Sequence, residues 1–223
     1  REVWMMRNQF GAEMTALHTK MITMGALCES GIASAVKGLL EHDPRNTQRA
    51  IDLVEEVNQC EQEIEQLCHT LLLRQQPVAR DLRKISACLK MVTDMERIGD
   101  QAGDIAEIAR LKNTPPDDGG KTIKDMSIAC IGMVTDCIDA FVQQDIALAH
   151  KVVGDDDAVD RYFDHIKQTL AEKIAGNLTF IEGYIDLLMV AKYLERIADH
   201  AVNIADWVVY IETAERSQKG EAM

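Results

Sequence analysis

The sequence has few of the residues that favour strands, sharp turns or irregular structure. Of its 223 residues, aromatic side chains make up 4% and only four are proline. Alanine, leucine, isoleucine, methionine and glutamate are abundant by contrast. Because aromatic residues are enriched in strands whereas these abundant residues mostly favour helices, the composition predicts an all-α fold.

Long uncharged apolar runs are also missing. A helix that crosses a membrane needs about 18 or more such residues, and the longest candidate, from Met126 to Thr135, ends at Asp136. The first residues carry no signal-peptide pattern. We therefore expect no membrane-spanning helix.

Positive charge is scarce as well. The net charge is −13 at pH 7, and the sequence pI is about 4.9. Nucleic acid is a poor candidate ligand, since its phosphates require basic patches. An acidic surface suits cations or a basic surface on a partner protein.

No cysteine pair has the Cys-x-x-Cys spacing of a zinc or redox motif. The six cysteines are Cys28, Cys60, Cys68, Cys88, Cys130 and Cys137. All fall within helical patterns, mostly at core-like positions, so we expect buried free thiols. A disulfide framework or a zinc site is the alternative.

One stretch of fourteen residues occurs twice. Residues 94–107 return as residues 193–206, with seven of the fourteen positions identical. Apolar residues three or four apart form one stripe of each helix: Met95, Ile98, Ala102, Ile105 and Ala109, then Leu194, Ile197, Ala201, Ile204 and Val208. Polar residues four apart lie beside each stripe: Glu96, Asp100 and Asp104, then Glu195, Asp199 and Asn203. Like charges at this spacing cost roughly 0.2–0.5 kcal/mol per pair in an isolated helix, which a neighbouring arginine or a bound cation would offset.

The repeat extends along the chain and predicts two similar halves. Periodic apolar residues predict six helices, at about residues 3–42, 44–74, 80–112, 122–143, 145–176 and 180–215. The segment 113–120 is rich in proline and glycine and is interpreted as a linker. We predict two tandem antiparallel three-helix bundles, residues 1–113 and 121–223, joined by residues 114–120.

A further acidic ladder, Asp156, Asp160 and Asp164, lies on the fifth helix, whereas its first-half counterparts are Val54, Asn58 and Gln62. Facing carboxylates on bundle helices bind cations such as iron, manganese or magnesium. The candidate metal ligands are Glu96, Asp100, Asp104, Asp156, Asp160, Glu195, Asp199 and Asn203. The alternative is an ordinary solvated helix face.

The repeated segments resemble a known family. Residues 96–100 read E-R-I-G-D and residues 195–199 read E-R-I-A-D, similar to the paired signatures of the PhoU family of phosphate-specific transport accessory proteins. Residues 76–83 resemble that family's Q-P-x-A-x-D-L-R turn. The chain departs from the family pattern at Ala198, where glycine is usual, and at Val54, where an acid is expected.

The resemblance implies a cytoplasmic, non-catalytic regulator that represses phosphate uptake and the phosphate-starvation response. Its expected partners are the ATPase of a phosphate ABC transporter and a sensor histidine kinase, and only through such partners would it reach a membrane; we also expect a homodimer. Some members of the family bind clusters of iron or other divalent or trivalent metals. Two alternatives stay open: a carboxylate-cluster metalloenzyme and a plain helical scaffold. The absence of a Glu-x-x-His motif argues against oxygen chemistry.

Overall fold

Long helices make up the protein in a computed structural model that describes residues 2–75, 77, 79–111, 113, 115, 120–176 and 178–215, with side chains from residue 9 onward. The helices are α1 (Glu2–Glu41), α2 (Pro44–Gln75), α3 (Ala79–Leu111), α4 (Gly120–Gln143), α5 (Ile146–Gly176) and α6 (Ile181–Thr213), with a 3-10 turn at Leu178–Phe180. No strand occurs in these ranges. The all-α prediction is confirmed.

The helices pack as two bundles of three. Helices α1, α2 and α3 contact one another, and so do α4, α5 and α6. Two contacts join the bundles, α1 against α4 and α3 against α6; we call these the α1/α4 seam and the α3/α6 seam. The predicted pair of tandem bundles is confirmed. The boundary at residues 114–120 stays a prediction, because most of that segment lies outside the described residues.

The turn between the first two helices of each bundle is built in the same way. The Asp43 carboxylate accepts a hydrogen bond from the backbone N–H of Arg45 at 2.9 Å. The carboxylate of Asp145, which follows Asp43 by 102 positions, accepts one from the N–H of Leu148 at 3.0 Å. Each aspartate therefore caps the free N–H groups at the start of a helix.

The predicted apolar stripes form the core. All ten stripe residues on α3 and α6 are buried, and so are Val152, Val159, Ile166 and Leu170 on α5. All six cysteines are buried and free, which confirms the expectation of unpaired thiols. The buried side chains form one continuous cluster with members from all six helices, so both seams belong to the core.

The helices run antiparallel across both seams. In the α1/α4 seam, Gly25 lies against Ile138, and the His18 and Phe141 ring centroids are 4.9 Å apart. In the α3/α6 seam, His200 lies beside Asp94, and the Arg83 guanidinium donates to the Ile211 carbonyl at 3.4 Å. Rising numbers on one helix therefore meet falling numbers on its neighbour, which relates the two halves by an approximate two-fold axis.

Within the described ranges, none of the helices taken singly combines the length and the hydropathy that crossing a membrane requires. Helices α5 and α6 reach that combination only when taken together across a bend of 119°.

Candidate functional site

Four acids come together where α5 packs against α6. Asp156 and Asp160 lie on α5, and Glu195 and Asp199 lie on α6. The electrostatic influence of each group reaches the facing helix, since Asp199 acts on Asp156 and Glu195 acts on Asp160. We call this group the α5/α6 acid cluster.

The α5/α6 acid cluster holds its negative charge in a partly buried place. Burial, followed by repulsion from Asp160 and Asp199, raises the pKa of Asp156 to about 6. Burial and the charge of Glu195 also raise the pKa values of Asp160 and Asp199. Both causes disfavour the charged form of a carboxyl group. The cluster therefore carries more negative charge than its own surroundings compensate.

One lysine partly offsets this charge. The Lys192 ammonium pairs with the Glu195 carboxylate one turn away on α6, and it lies 5.5 Å from the centroid of the Phe163 ring. Asp164, the third residue of the α5 ladder, lies at the edge of this arrangement, where its charge adds a minor contribution to the raised pKa of Asp160 after burial and the charges of Glu195 and Asp157. Its side chain is 70% exposed and pairs with Lys167 at 2.6 Å. The sequence pattern thus extends one turn beyond the cluster.

The first bundle has a corresponding group with a different acid on α2. Glu96 and Asp100 lie on α3 as predicted, and Arg97 approaches them at 3.9 and 3.3 Å. Burial, then the charges of Glu96 and Glu65, raises the pKa of Glu61. Glu61 therefore supplies the α2 carboxylate near these acids. It was not among the predicted ligands, although it lies three residues after Asn58, on the neighbouring face of the same helix.

Packing accounts for the valine at position 54. A Cβ atom on Gly103 would lie 2.8 Å from the Val54 Cγ2 atom, so the valine side chain rests on the bare glycine backbone. The corresponding residues in the second half, offset by 102 and 99 positions, are Asp156 and Val202. The second half therefore has the branched residue on its third helix and an acid at the position of Val54, and the acid expected on α2 is absent.

Asp104 and Asn203 lie at the edges of these two groups, and burial followed by the charge of Asp100 raises the pKa of Asp104. Asp104 lines an open cleft of about 650 Å³ between α2 and α3 together with Asp52 and Glu55. The Asn203 amide donates to the Asp94 carboxylate at 3.2 Å, across the α3/α6 seam. His200 Nδ1 lies 2.9 Å from the same carboxylate oxygen. Asn203 is therefore turned towards α3.

The acids offer the type of donor that hard cations take. Carboxylate oxygens bind magnesium, manganese and iron, and a bound cation would relieve the repulsion that raises the aspartate pKa values. In the part of the chain that the structure describes, however, no three His, Cys, Asp or Glu side chains are arranged so that they could hold a metal ion. Donor type and charge fit a hard cation, but binding one would require side chains to turn.

Comparison with known proteins adds an independent line of evidence. The family model described as PhoU domain matches residues 21–109 and again residues 123–208. A phosphate-specific transport system accessory protein PhoU homolog of Burkholderia sp. is 31% identical over 208 residues, which cover 92% of this chain and 88% of the relative. The homolog of Synechocystis sp. is 34% identical, with 94% of each chain covered.

The fold also resembles that of a solved PhoU structure. The crystal structure of PhoU from Pseudomonas aeruginosa superimposes with a TM-score of 0.88 at 32% sequence identity, covering 92% of this chain and all of that one. The two matches of the family model fall on the two bundles.

Proposed function

The chain belongs to the PhoU family, and on that premise we propose that it is a regulator of phosphate uptake that represses the phosphate-starvation response without catalysing a reaction. Its relatives are named as accessory proteins of phosphate-specific transport, which supports a role in the regulation of phosphate transport. The observation that carries the proposal is the α5/α6 acid cluster. Two of its acids, Glu195 and Asp199, lie on the segment E-R-I-A-D, which matches the family signature except at Ala198, and they face Asp156 and Asp160 on the adjacent helix.

The proposed partners are the ATPase of a phosphate ABC transporter and a sensor histidine kinase, met in the cytoplasm. A regulator that works by contact needs a surface that distinguishes its partners, and complementary charge provides such selectivity. Exposed apolar side chains on the first turns of α6, Ile181, Ile185 and Met189, support pairing with a partner or with a second copy of the chain.

Metal dependence is the second part of the proposal. The ligands would be Asp156, Asp160, Glu195 and Asp199 in the second bundle, and Glu61, Glu96 and Asp100 in the first. A hard cation supplies positive charge that offsets the carboxylate repulsion. The residues of the chain contribute oxygen donors on two helices of one bundle, so binding would tie α5 to α6 and α2 to α3.

The role of the cluster in regulation can be tested in cells. The double variant Glu195→Gln with Asp199→Asn keeps side-chain shape and removes two charges. We expect a reporter of the phosphate-starvation response to become active at high phosphate, as in a strain that lacks the protein. The control is Asp164→Asn with Glu172→Gln, which removes two charges from exposed sites on α5 and should leave the reporter repressed. Full repression by the first variant at a normal protein level would refute this role.

Metal binding can be tested on purified protein without an activity assay. A ligand that binds the folded state alone raises the unfolding temperature by mass action. We expect Mn²⁺ to raise the unfolding temperature of the EDTA-treated wild type. We expect no rise in a variant that combines Glu195→Gln and Asp199→Asn with Glu96→Gln and Asp100→Asn in the first bundle. Equal shifts in the two proteins would refute binding by these acids.

A further inference from the structure

The α1/α4 seam carries a groove whose apolar floor is bordered by two lysines and one glutamate, Lys37, Lys124 and Glu41. Its volume is about 360 Å³, and its lining includes Val36, Lys37 and Leu40 of α1 with Lys124, Ile128 and Ile131 of α4. Ile128 is 57% exposed, so it offers apolar surface to a ligand in the groove. We call this surface the α1/α4 groove.

The two-fold repeat is broken at the groove. On the equivalent face of the seam, a Cβ atom on Gly25 would lie 2.9 Å from Ile138 Cγ1, so the isoleucine packs directly on the glycine. The residues that correspond to Gly25 and Ile138 at an offset of 102 are Ser127 and Val36, and both line the groove. At the groove the shorter valine faces a serine instead of a glycine, and both are buried, so the packing of isoleucine on bare glycine is not repeated there.

The charged residues also differ between the groove and the filled face of the α1/α4 seam. Lys37 and Lys124 border the groove, whereas the corresponding residues on the filled face are Asp139 and Ile22. Among the described residues, Lys124 has no ion pair within 4.0 Å, and Lys37 has only Glu41, at the limiting distance of 4.0 Å. Lys124 therefore contributes an ammonium group without an ion pair to any residue of the described ranges beside the apolar floor, and Lys37 contributes a second one at the edge of its pairing distance from Glu41.

We propose that the α1/α4 groove binds a medium-chain aliphatic carboxylate. The alkyl chain would lie on Val36, Ile128 and Ile131, and the carboxylate would meet the lysine ammonium groups. The volume lies within the range of roughly 300–1,000 Å³ that is typical of small-ligand pockets. The part of α1 that lines the groove, residues 33–41, is about 12 Å long at 1.5 Å per residue, which suits an extended chain. The site uses a different seam from the acid clusters and is independent of the proposed regulatory function.

Titration calorimetry of the full chain with decanoate tests the proposal, with decyltrimethylammonium as a probe of the same chain and opposite head charge. We expect saturable binding of decanoate alone. Charge reversal by Lys124→Glu should weaken it about tenfold, because an attraction at the groove becomes a repulsion. Its control is Lys90→Glu, which makes the same charge change at an exposed site on α3 and should have no effect.

A second pair of variants tests the apolar floor. Ile128→Asn should weaken decanoate binding about fivefold through lost apolar contact. Ile22→Asn removes an isoleucine that is 44% exposed on the filled face and should leave the affinity unchanged. Both positions are solvent-exposed, so neither change should unfold the protein. Absence of saturable binding, equal binding of the cationic probe, equal effects of Lys124→Glu and Lys90→Glu, or uptake of phosphatidylglycerol vesicles in place of decanoate would overturn the proposal.

Discussion

The identities of the acids could be read from the sequence, but not their environments. Spacing alone placed Asp156, Asp160, Glu195 and Asp199 on facing helices, and the structure brings these four together. The same reasoning took Asn203 as a companion, whereas it bonds across the seam to Asp94. It left Glu61 out of the predicted ligands because that residue, although near, is not at the repeat-equivalent position. A repeat identifies corresponding positions, but it does not reveal which neighbouring residue takes over a lost role.

From the raised pKa of Asp156 we predict how the free energy of unfolding depends on pH. Its ordinary value is 3.8 and its value in the folded protein is about 6. Burial of this group therefore costs no stability at low pH, lowers the free energy of unfolding progressively as the pH rises from 3.8 to about 6, and lowers it by a constant amount above that range. In EDTA at pH 7.5, we expect Asp156→Asn to raise the free energy of unfolding by about 1 kcal/mol, a value reduced for solvent screening. At pH 4 we expect a much smaller gain, as measured by urea denaturation.

The variant Asp164→Asn is the matched control on the same helix. That carboxylate is 70% exposed and paired with Lys167, so its removal should change the free energy of unfolding by less than about 0.5 kcal/mol at either pH. An Asp156→Asn gain that is the same at pH 4 as at pH 7.5 would contradict the argument from ionisation.

At the scale of the helix, the sequence predicted the elements well because their ends carry recognisable chemistry. The predicted second helix, residues 44–74, matches α2 at Pro44–Gln75, since Asp43 and the following proline mark its start. The last helix agrees less well. It begins after a 3-10 turn, and it ends at Thr213, because Ala214 takes a left-handed backbone with φ of 61°. Alanine carries no sequence signal for that conformation.

The contact between α1 and α2 predicts a sensitive glycine. A Cβ atom on Gly38 would lie 2.5 Å from Thr47 Oγ1 and 2.8 Å from the Thr47 backbone nitrogen. Because a helix backbone cannot easily move, we expect Gly38→Ala to lower the free energy of unfolding by about 2 kcal/mol. The second half has Ala140 and Ala149 at the corresponding positions. Gly38→Ala combined with Thr47→Ala should therefore recover part of the loss, as measured by urea denaturation.

Gly132 serves as the control for this substitution. It lies inside α4, and a Cβ atom there would meet nothing within 4 Å. Gly132→Ala should raise the free energy of unfolding by about 0.5–1 kcal/mol through helix propensity alone. Similar effects of the two glycine substitutions would show that crowding at Thr47 is not the cause.

At the scale of the whole molecule, the repeat predicted two bundles but not how they meet. Apolar periodicity identifies a buried face without identifying the helix that covers it. The seam residues Gly25 and Ile138 have no sequence signature that separates them from the interior of one bundle. The continuous core across the seams is therefore a finding of the structure.

This continuous core predicts a single unfolding transition. Leu39 on α1 is 1% exposed and belongs to the same buried cluster as the residues of α6. Leu39→Ala should cost about 2–5 kcal/mol. In a Trp4→Phe background, the fluorescence of Trp207 reports on α6 alone among the tryptophans. We expect that signal to shift to lower urea by the same amount as circular dichroism of the whole chain.

Two outcomes would contradict cooperative unfolding of the halves. One is a Trp207 transition that Leu39→Ala leaves in place. The other is a two-step circular dichroism curve whose first step alone moves.

The antiparallel seams also determine how many contacts along the axis one substitution alters. If two identical copies met across this axis, any altered residue would appear twice and would face the same neighbour from both sides. Here Asp94 meets His200, whereas their counterparts are Tyr193 and Gln101. Because both copies are carried on one polypeptide, each site along the axis can vary separately. The two sides of the molecule along this axis can therefore differ, although the fold is built from one repeated unit.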